Sequence, residues 1–149
     1  MEQADVTWGQ LRQRVGVLSQ ALRAAGVKKG DRVAGVVSNS AETFVVFLST
    51  VAIGAIFSSS STDMGTKGIL DRMVQIEPTY IFMDDAATWN KKKVDLRRKM
   101  AEVVEGMKGV KCFKGMVAIN RFSHAADVGA IPRTWVFLNI GFGGEMLTG

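Results

Sequence analysis

The chain has 149 residues, of which 47% are hydrophobic and 22% are charged, and its formal net charge is +5. This length allows one domain with a buried core, and the balance of apolar and charged residues is typical of a globular protein. Every long apolar stretch is broken before the roughly 18 to 20 residues that a membrane-spanning helix needs, so the sequence predicts no membrane span.

The first third of the chain alternates between helical and extended patterns. Thr7 and Gln10 have the spacing of a capping box, and the apolar residues behind them recur every three or four positions, which predicts a helix that ends at Gly26. The segment 32–37 is apolar on both faces, which indicates a buried parallel strand. Ser40 is placed to cap a helix over 41–52, and because this helix is apolar almost all round it needs cover on several sides.

The alternation continues in the rest of the chain. The predicted elements are a strand over 54–57, a helix over 69–76 before Pro78, a strand over 79–83, a basic helix over about 92–107, a strand over 115–119 and a short strand over 135–138. Helices and strands in this order predict an α/β fold, with a mostly parallel sheet and helices on both of its faces.

Cysteine and histidine usage is minimal. The single Cys112 excludes an internal disulfide and a cysteine-based zinc site, and we expect it to be a buried strand residue. The single His124 is expected in a loop, and no metal site is predicted. The N-terminal segment MEQADVTWGQ lacks the basic and then apolar pattern of a secretory signal. These features favour a reducing compartment, and a cytoplasmic location is predicted.

The segment IFSSSSTDMGTKG, residues 56–68, superficially suggests a phosphate-binding loop. Its spacing does not fit G-x-x-x-x-G-K-[ST], because Gly65 is followed by Thr66 before Lys67 and serine stands five residues ahead of Gly65. A dinucleotide-binding G-x-G-x-x-G also fails, both here and at 141–146. From composition alone the segment is a polar loop at a strand end, with Thr62 or Asp63 capping the next helix.

Positive charge is scattered except at 90–99, NKKKVDLRRK. No aromatic residues alternate with these lysines as a nucleic-acid stacking platform would require, so nucleic-acid binding is not predicted. A local anion site at this cluster stays open, and the alternative is a solvated run of lysines.

Four features resemble the adenylate-forming acyl-CoA synthetases. They are G-V-x-x-G-D-R-V at 26–33, N-S at 39–40, A-I-G-A-I at 52–56 running into the serine-rich segment, and L-D-R-x-x-Q-I-x-P at 70–78. The serine-rich segment is most similar to W-S-S-x-S-P-D-F-G of the acetoacetyl-CoA synthetases, although Thr62 stands where proline is usual and Met64 where phenylalanine is usual. The resemblance covers about residues 6–119.

The resemblance implies an incomplete N-terminal subdomain, with residues 1–131 a partial AMP-binding ligase domain and 132–149 a weakly related tail. It implies the reaction of ATP, acetoacetate and CoA to acetoacetyl-CoA, AMP and diphosphate, with ATP, Mg²⁺ and CoA used by the intact enzyme. The family's phosphate loop, S-S-G-T-T-G-x-P-K, does not occur in the 149 residues. The chain is therefore expected to be a fragment that is inactive alone, carries no catalytic residue, binds no cofactor tightly and pairs with the remainder of the ligase.

Two other functions are compatible with an α/β fold. One is a non-catalytic CoA- or protein-binding module of the same fold. The other is a response-receiver regulator, which is disfavoured because the first strand runs into Val37 and Ser38 where such proteins carry an aspartate cluster. The helix over 41–52 also predicts a marginally stable chain that aggregates or exposes apolar surface when made alone.

Two groups of residues carry the binding predictions. By resemblance, a CoA phosphate is expected to contact Lys92, helped by its neighbours and by the N-terminus of the predicted helix. This tentative CoA site consists of Asn90, Lys91, Lys92 and Lys93. A second, non-catalytic set is expected to border the active cleft, because strand-end loops of open α/β sheets line ligand crevices. It consists of Ser59, Ser60, Ser61, Thr62 and Asp63.

Overall fold

The computed structural model describes residues 5–121 and 128–137. Its helices are α1 (Trp8–Ala24), α2 (Ala41–Ala52), α3 (Thr66–Ile76) and α4 (Arg97–Gly106). Its strands are β1 (Arg32–Val36), β2 (Ile56–Ser60), β3 (Tyr80–Asp84), β4 (Ala86–Trp89), β5 (Lys92–Asp95), β6 (Gly115–Ile119) and β7 (Thr134–Phe137). The predictions for His124 and for the glycine-rich segment 141–146 lie outside the described residues.

The main sheet has the strand order β2-β1-β3-β6-β7, and each neighbouring pair is parallel. Side chains of α1 and α2 pack on one face of this sheet, in a cluster that includes Leu22, Val46 and Phe82. Side chains of α3 and α4 pack on the other face, in a cluster that includes Met73 and Met100. The predicted α/β fold with helices on both faces is confirmed.

The residues predicted to begin and end α1 and to begin α2 do so in the structure. The Thr7 hydroxyl accepts from the Gln10 N–H at 3.1 Å and the Gln10 side chain accepts from the Thr7 N–H at 3.0 Å, which is a capping box. Gly26 follows α1 with a φ of 90°, a backbone conformation that favours glycine. The Ser40 hydroxyl accepts from the Thr43 N–H at 3.2 Å and caps α2.

The serine-rich segment is not simply a loop. Strand β2 extends through Ser60, so Ser59 and Ser60 of the predicted cleft-lining set are strand residues. The cap of α3 is Gly65, which makes no side-chain hydrogen bond, so the expectation that Thr62 or Asp63 caps this helix is wrong. The apolar run stops at Phe57, so the strand predicted from it ends three residues before β2 does.

The predicted helix over 92–107 is wrong in its first part. Strands β4 and β5 form an antiparallel hairpin, in which Trp89 pairs with Lys92. Asn90 and Lys91 connect the strands with φ values of 48° and 63°, as a two-residue hairpin turn of type I′ requires. Helix α4 begins only at Arg97, after the hairpin.

Cys112 also departs from prediction. It is exposed and lies in a turn before β6, where its Sγ donates to the main-chain carbonyl of Glu77 at 3.1 Å. The neighbouring Val110 and Phe113 are buried and carry the apolar contacts of this turn. Free cysteines are usually buried in folded proteins, but the turn before β6 places this one at the surface.

Helix α2 is incompletely covered, as its all-round apolarity predicts. Phe44, Phe47 and Val51 are 46%, 39% and 45% exposed, and Ile56 at the start of the edge strand β2 is 55% exposed. Phe47 packs against Phe57, with 5.6 Å between ring centroids, and against Phe44, so these three rings form an apolar surface along β2. In the described parts of the chain, no helix is long and apolar enough to cross a bilayer.

Candidate functional site

The order of the sheet reverses between β1 and β3. From β1 the chain moves outward to β2, and it then returns to the other side of β1 as β3. In open α/β sheets, ligands bind in the crevice at the carboxyl ends of the strands where this reversal occurs. Here that crevice is bordered by Ser38 and Asn39, which follow β1, and by Asp84 and Asp85 at the end of β3.

A hydrogen-bonded cluster occupies this edge of the sheet. Oδ2 of Asp84 accepts from the main-chain N–H of Ser38 at 2.9 Å and from its hydroxyl at 2.6 Å, and Nε of Arg121 lies 3.7 Å from the same oxygen. Arg121 Nη1 also lies 3.3 Å from Glu42 Oε2, and the Arg121 N–H donates to Asp85 Oδ1 at 2.9 Å. Four segments of the chain are thereby tied together.

Asp84 is fully buried, with 0% of its surface exposed. Burial raises the pKa of this carboxyl, and the Ser38 hydrogen bonds and Arg121 oppose that shift without cancelling it. Its other oxygen, Oδ1, has no hydrogen-bond partner among the described residues. A buried carboxylate that binds one strand end to another is therefore a structural feature of the crevice wall.

Two cavities open beside this cluster. A groove of about 540 Å³ has Ser38, Asn39, Thr43 and Arg72 among its lining residues, together with four of the predicted cleft-lining residues. Those four are Ser59, Ser60, Ser61 and Thr62, whereas Asp63 does not line it. A smaller cavity of about 240 Å³ lies between Ser38, Asn39, Thr62, Thr88 and Arg121. The end of the serine-rich segment and the base of the hairpin thus meet at the smaller cavity.

Two cations, on α3 and α4, hold the residues that line the larger groove. Nη1 of Arg72 on α3 donates to the Ser60 hydroxyl at 3.2 Å. Nζ of Lys99 on α4 donates to the carbonyls of Thr62 at 3.1 Å and Met64 at 2.9 Å. Lys99 belongs to the basic cluster considered as an anion site, but its ammonium binds main-chain oxygens and fixes the loop after β2.

The predicted CoA set lies away from these cavities. Asn90 and Lys91 form the hairpin turn, and Lys92 and Lys93 begin β5. All four residues are exposed, and none lines the groove or the smaller cavity. The hairpin connects this set to the crevice, because Thr88 lines the smaller cavity and pairs directly with Lys93.

The predicted contribution of a helix dipole to this set is wrong. The dipole acts within the first turn, and α4 begins at Arg97, beyond the strand that carries the lysines. The start of α4 already has an acidic partner, since Asp95 Oδ1 accepts from the Arg97 N–H at 2.9 Å. Hydrogen bonds from Arg97 lower the pKa of Asp95. Without the helix dipole, the attraction of this set for an anion rests on three consecutive lysines of the hairpin.

Metal binding finds no support in the described part of the chain, where no group of three histidine, cysteine, aspartate or glutamate residues could hold an ion. Asp84, Asp85 and Arg121 lie at strand ends and are not among the residues predicted from sequence. The available signal is the acidic pair directly after the buried run YIFM. The predicted strand ends at Met83, one residue short of this pair.

Comparisons with known proteins identify the family. A model described as AMP-binding enzyme matches residues 1–128. Acetoacetyl-CoA synthetase of Rattus norvegicus is 45% identical over 71% of this chain, and the match covers 16% of that protein. Acetoacetyl-CoA synthetase of Danio rerio is 38% identical over 92% of this chain, and the match covers 20% of that protein. The structure of acetoacetyl-CoA synthetase from Streptomyces lividans superposes with a TM-score of 0.80 and 32% identity over 91% of this chain and 20% of that one. The chain spans a fifth or less of these relatives, and it belongs to the AMP-binding enzyme family.

Proposed function

We propose that the chain forms part of an acetoacetyl-CoA synthetase, which joins acetoacetate to CoA while ATP is converted to AMP and diphosphate. The observation that carries the proposal is the agreement of fold and sequence with the Streptomyces lividans enzyme over 91% of the chain. The position of the crevice supports it, because polar side chains converge where ligands of open α/β sheets bind. Acetoacetate is the acid that the relatives' names indicate.

In this proposal, residues 1–131 are part of the ligase domain, and the chain's own residues bind and orient ligands. Ser59, Ser60, Ser61 and Thr62 border the cleft with hydroxyl groups, and the neighbouring Asp63 completes the turn after β2. Hydroxyls donate and accept hydrogen bonds, which suits a polar ligand that changes charge during a reaction. None of these residues is assigned a catalytic role.

The hairpin is the proposed CoA phosphate site, formed by Asn90, Lys91, Lys92 and Lys93. Exposed lysines are point charges that bind phosphate without the geometric demands of arginine. The turn begins at Asn90, two residues after Thr88, or about 7 Å at the rise of a β-strand. An extended molecule such as CoA could therefore keep its phosphates at the turn while its thiol end reaches the crevice.

The described residues do not fit ATP and Mg²⁺ in the same way. They include no acidic cluster for a metal, and the 149 residues contain no S-S-G-T-T-G-x-P-K segment to hold a triphosphate. We therefore propose that these ligands are held by the rest of a ligase, that the 149 residues alone are inactive, and that the complete enzyme works in the cytoplasm. Cys112 is a free and exposed thiol, which agrees with a reducing location.

A graft tests this function. The matching segment of the Streptomyces lividans enzyme is replaced by residues 5–137 of this chain, and acetoacetyl-CoA formation is measured. We expect turnover with acetoacetate, and we expect Lys92→Ala to raise the KM for CoA at least fivefold while the KM for ATP changes less than twofold. Lys111→Ala, at an exposed lysine in the turn before β6, is the matched control. An unchanged KM for CoA in Lys92→Ala would remove the hairpin from the CoA site.

A further inference from the structure

We propose that Asp84 and Arg121 are positioning residues that hold the Ser38–Asn39 turn in place as a wall of the crevice. The inference rests on the proposed function in one respect, that the crevice receives the ligands. It goes beyond that function by assigning a role to a buried carboxylate and a partly exposed arginine, neither of which belongs to the predicted binding sets.

Asp84 fixes Ser38 through both its main chain and its side chain. The two hydrogen bonds, of 2.9 and 2.6 Å, end on the same carboxylate oxygen, so Ser38 can neither rotate its side chain nor shift its backbone without losing one of them. Asp84 itself cannot yield, because it ends β3, which is paired with β1 on one side and β6 on the other. The turn after β1 is therefore fixed to the end of β3 by two hydrogen bonds on one buried oxygen.

Arg121 secures the far side of the same turn. Its guanidinium lies between Asp84 and Glu42, at 3.7 and 3.3 Å, and Glu42 is in the first turn of α2 just beyond Asn39. Its main-chain N–H is fixed by Asp85 at 2.9 Å. The connection from β1 to α2 is therefore tied at Ser38 and again at Glu42, with Asn39 between the two ties.

Asn39 is a restrained residue that borders the cavities. It is exposed, and it lines both the 540 Å³ groove and the 240 Å³ cavity, so it lies where the two adjoin. Arg121 faces two carboxylates, and this rules against the alternative that it binds a ligand anion directly, because its charge is already opposed. The geometry assigns positioning to Asp84 and Arg121 and presentation to Asn39.

Hydrogen exchange on the 149-residue chain tests the inference. We expect Asp84→Ala to raise the exchange rate of the Ser38 amide about tenfold or more, the effect of losing about 1.4 kcal/mol of local protection. Amides of Ile81 and Val117 inside the sheet should change less than twofold, and Asp84→Asn should restore Ser38 to within threefold of wild type. Asp31→Ala is the matched control, since Asp31 Oδ2 accepts from the Lys28 N–H at 3.0 Å in a different turn.

Two results would overturn the inference: an unchanged Ser38 amide in Asp84→Ala, or exchange that rises by one common factor at Ser38, Ile81 and Val117. The second result would make Asp84 a residue of global stability. If Asp84→Ala does not fold, Ser38→Ala loses the hydroxyl bond and keeps the N–H bond to Asp84, and the amide of residue 38 should then exchange about threefold faster or the inference fails. An inactive graft with a protected Ser38 would contradict the proposed function and leave this inference standing.

Discussion

The main-chain N–H and the hydroxyl of Ser38 both donate to Oδ2 of Asp84, at 2.9 and 2.6 Å, and join the end of β1 to the end of β3. This contact places a fully buried carboxylate under the crevice wall. The carboxylate affects stability as well as shape, because its folded-state pKa differs from that of an unfolded chain.

The pH dependence of that contribution has a definite sign. Burial raises the pKa of Asp84 above its ordinary value of 3.8. A carboxyl with a raised folded-state pKa favours the fold below 3.8, and this contribution is lost as pH rises through the folded-state pKa. The free energy of unfolding of wild type minus that of Asp84→Asn should therefore fall from pH 4 upward and then level off.

Urea denaturation at a series of pH values measures this difference. Asp85, Glu42 and Arg121 are the other charged groups that face this cluster, and all three are present in both proteins. A difference that rises with pH would mean that Ser38 and Arg121 outweigh burial and lower the pKa of Asp84.

Lys91 occupies a backbone conformation that suits glycine, with a φ of 63°. Replacing Lys91 by glycine relieves about 1–2 kcal/mol of strain from the left-handed conformation. Part of this gain, about 0.5–1 kcal/mol, is offset because glycine loses more conformational entropy on folding. Lys91→Gly should therefore raise the free energy of unfolding by about 0.5–1 kcal/mol. Lys93→Gly, within β5, should lower it, and a stabilising effect there would show that the turn is not the cause.

Lys99 fixes the loop after β2 through the carbonyls of Thr62 and Met64. Lys99→Met keeps the apolar stem of the side chain and removes both hydrogen bonds. Limited proteolysis should cleave this loop several times faster in Lys99→Met, with global stability reduced by about 1–3 kcal/mol. Lys108→Met, which removes only an exposed ion pair with Glu105, should leave the cleavage rate unchanged.

Phe47 is 39% exposed beside Phe44 and Phe57, on the apolar surface along β2. The 149-residue chain should bind a hydrophobic dye and self-associate, and Phe47→Ser should reduce both. Phe82→Ser, at a position with 0% exposure, should instead increase dye binding, because losing a buried phenylalanine costs about 3–5 kcal/mol. A wild-type chain that sediments as a monomer and binds no dye would contradict this account of α2.

The parts of the fold that follow from local periodicity and capping were predictable. Thr7 and Ser40 cap the helices expected of them, and β6 occupies the predicted residues. Errors arose where polar residues enter a strand. Ser60 belongs to β2 because it pairs with Val36 of the neighbouring strand β1. This pairing depends on the sheet and is not visible in a run of serines.

The hairpin was missed for a related reason. A run of lysines fits a helix by propensity, but Asn90 and Lys91 form a turn that depends on two positive φ values. Of the five residues predicted to border the cleft, four line the groove, and their role as a binding site stays a prediction. Asp84 and Arg121 meet through strands far apart in sequence, and only the sheet order brings them together.

The most direct test of the central claim is acetoacetate-dependent exchange of pyrophosphate into ATP by the grafted enzyme, with the 149-residue chain assayed alongside. This half-reaction reports adenylation without CoA. The account predicts exchange by the graft with acetoacetate, much less with acetate, and none by the 149-residue chain alone. A graft that melts cooperatively yet exchanges no pyrophosphate with acetoacetate would contradict the claim that this chain is part of an acetoacetyl-CoA synthetase.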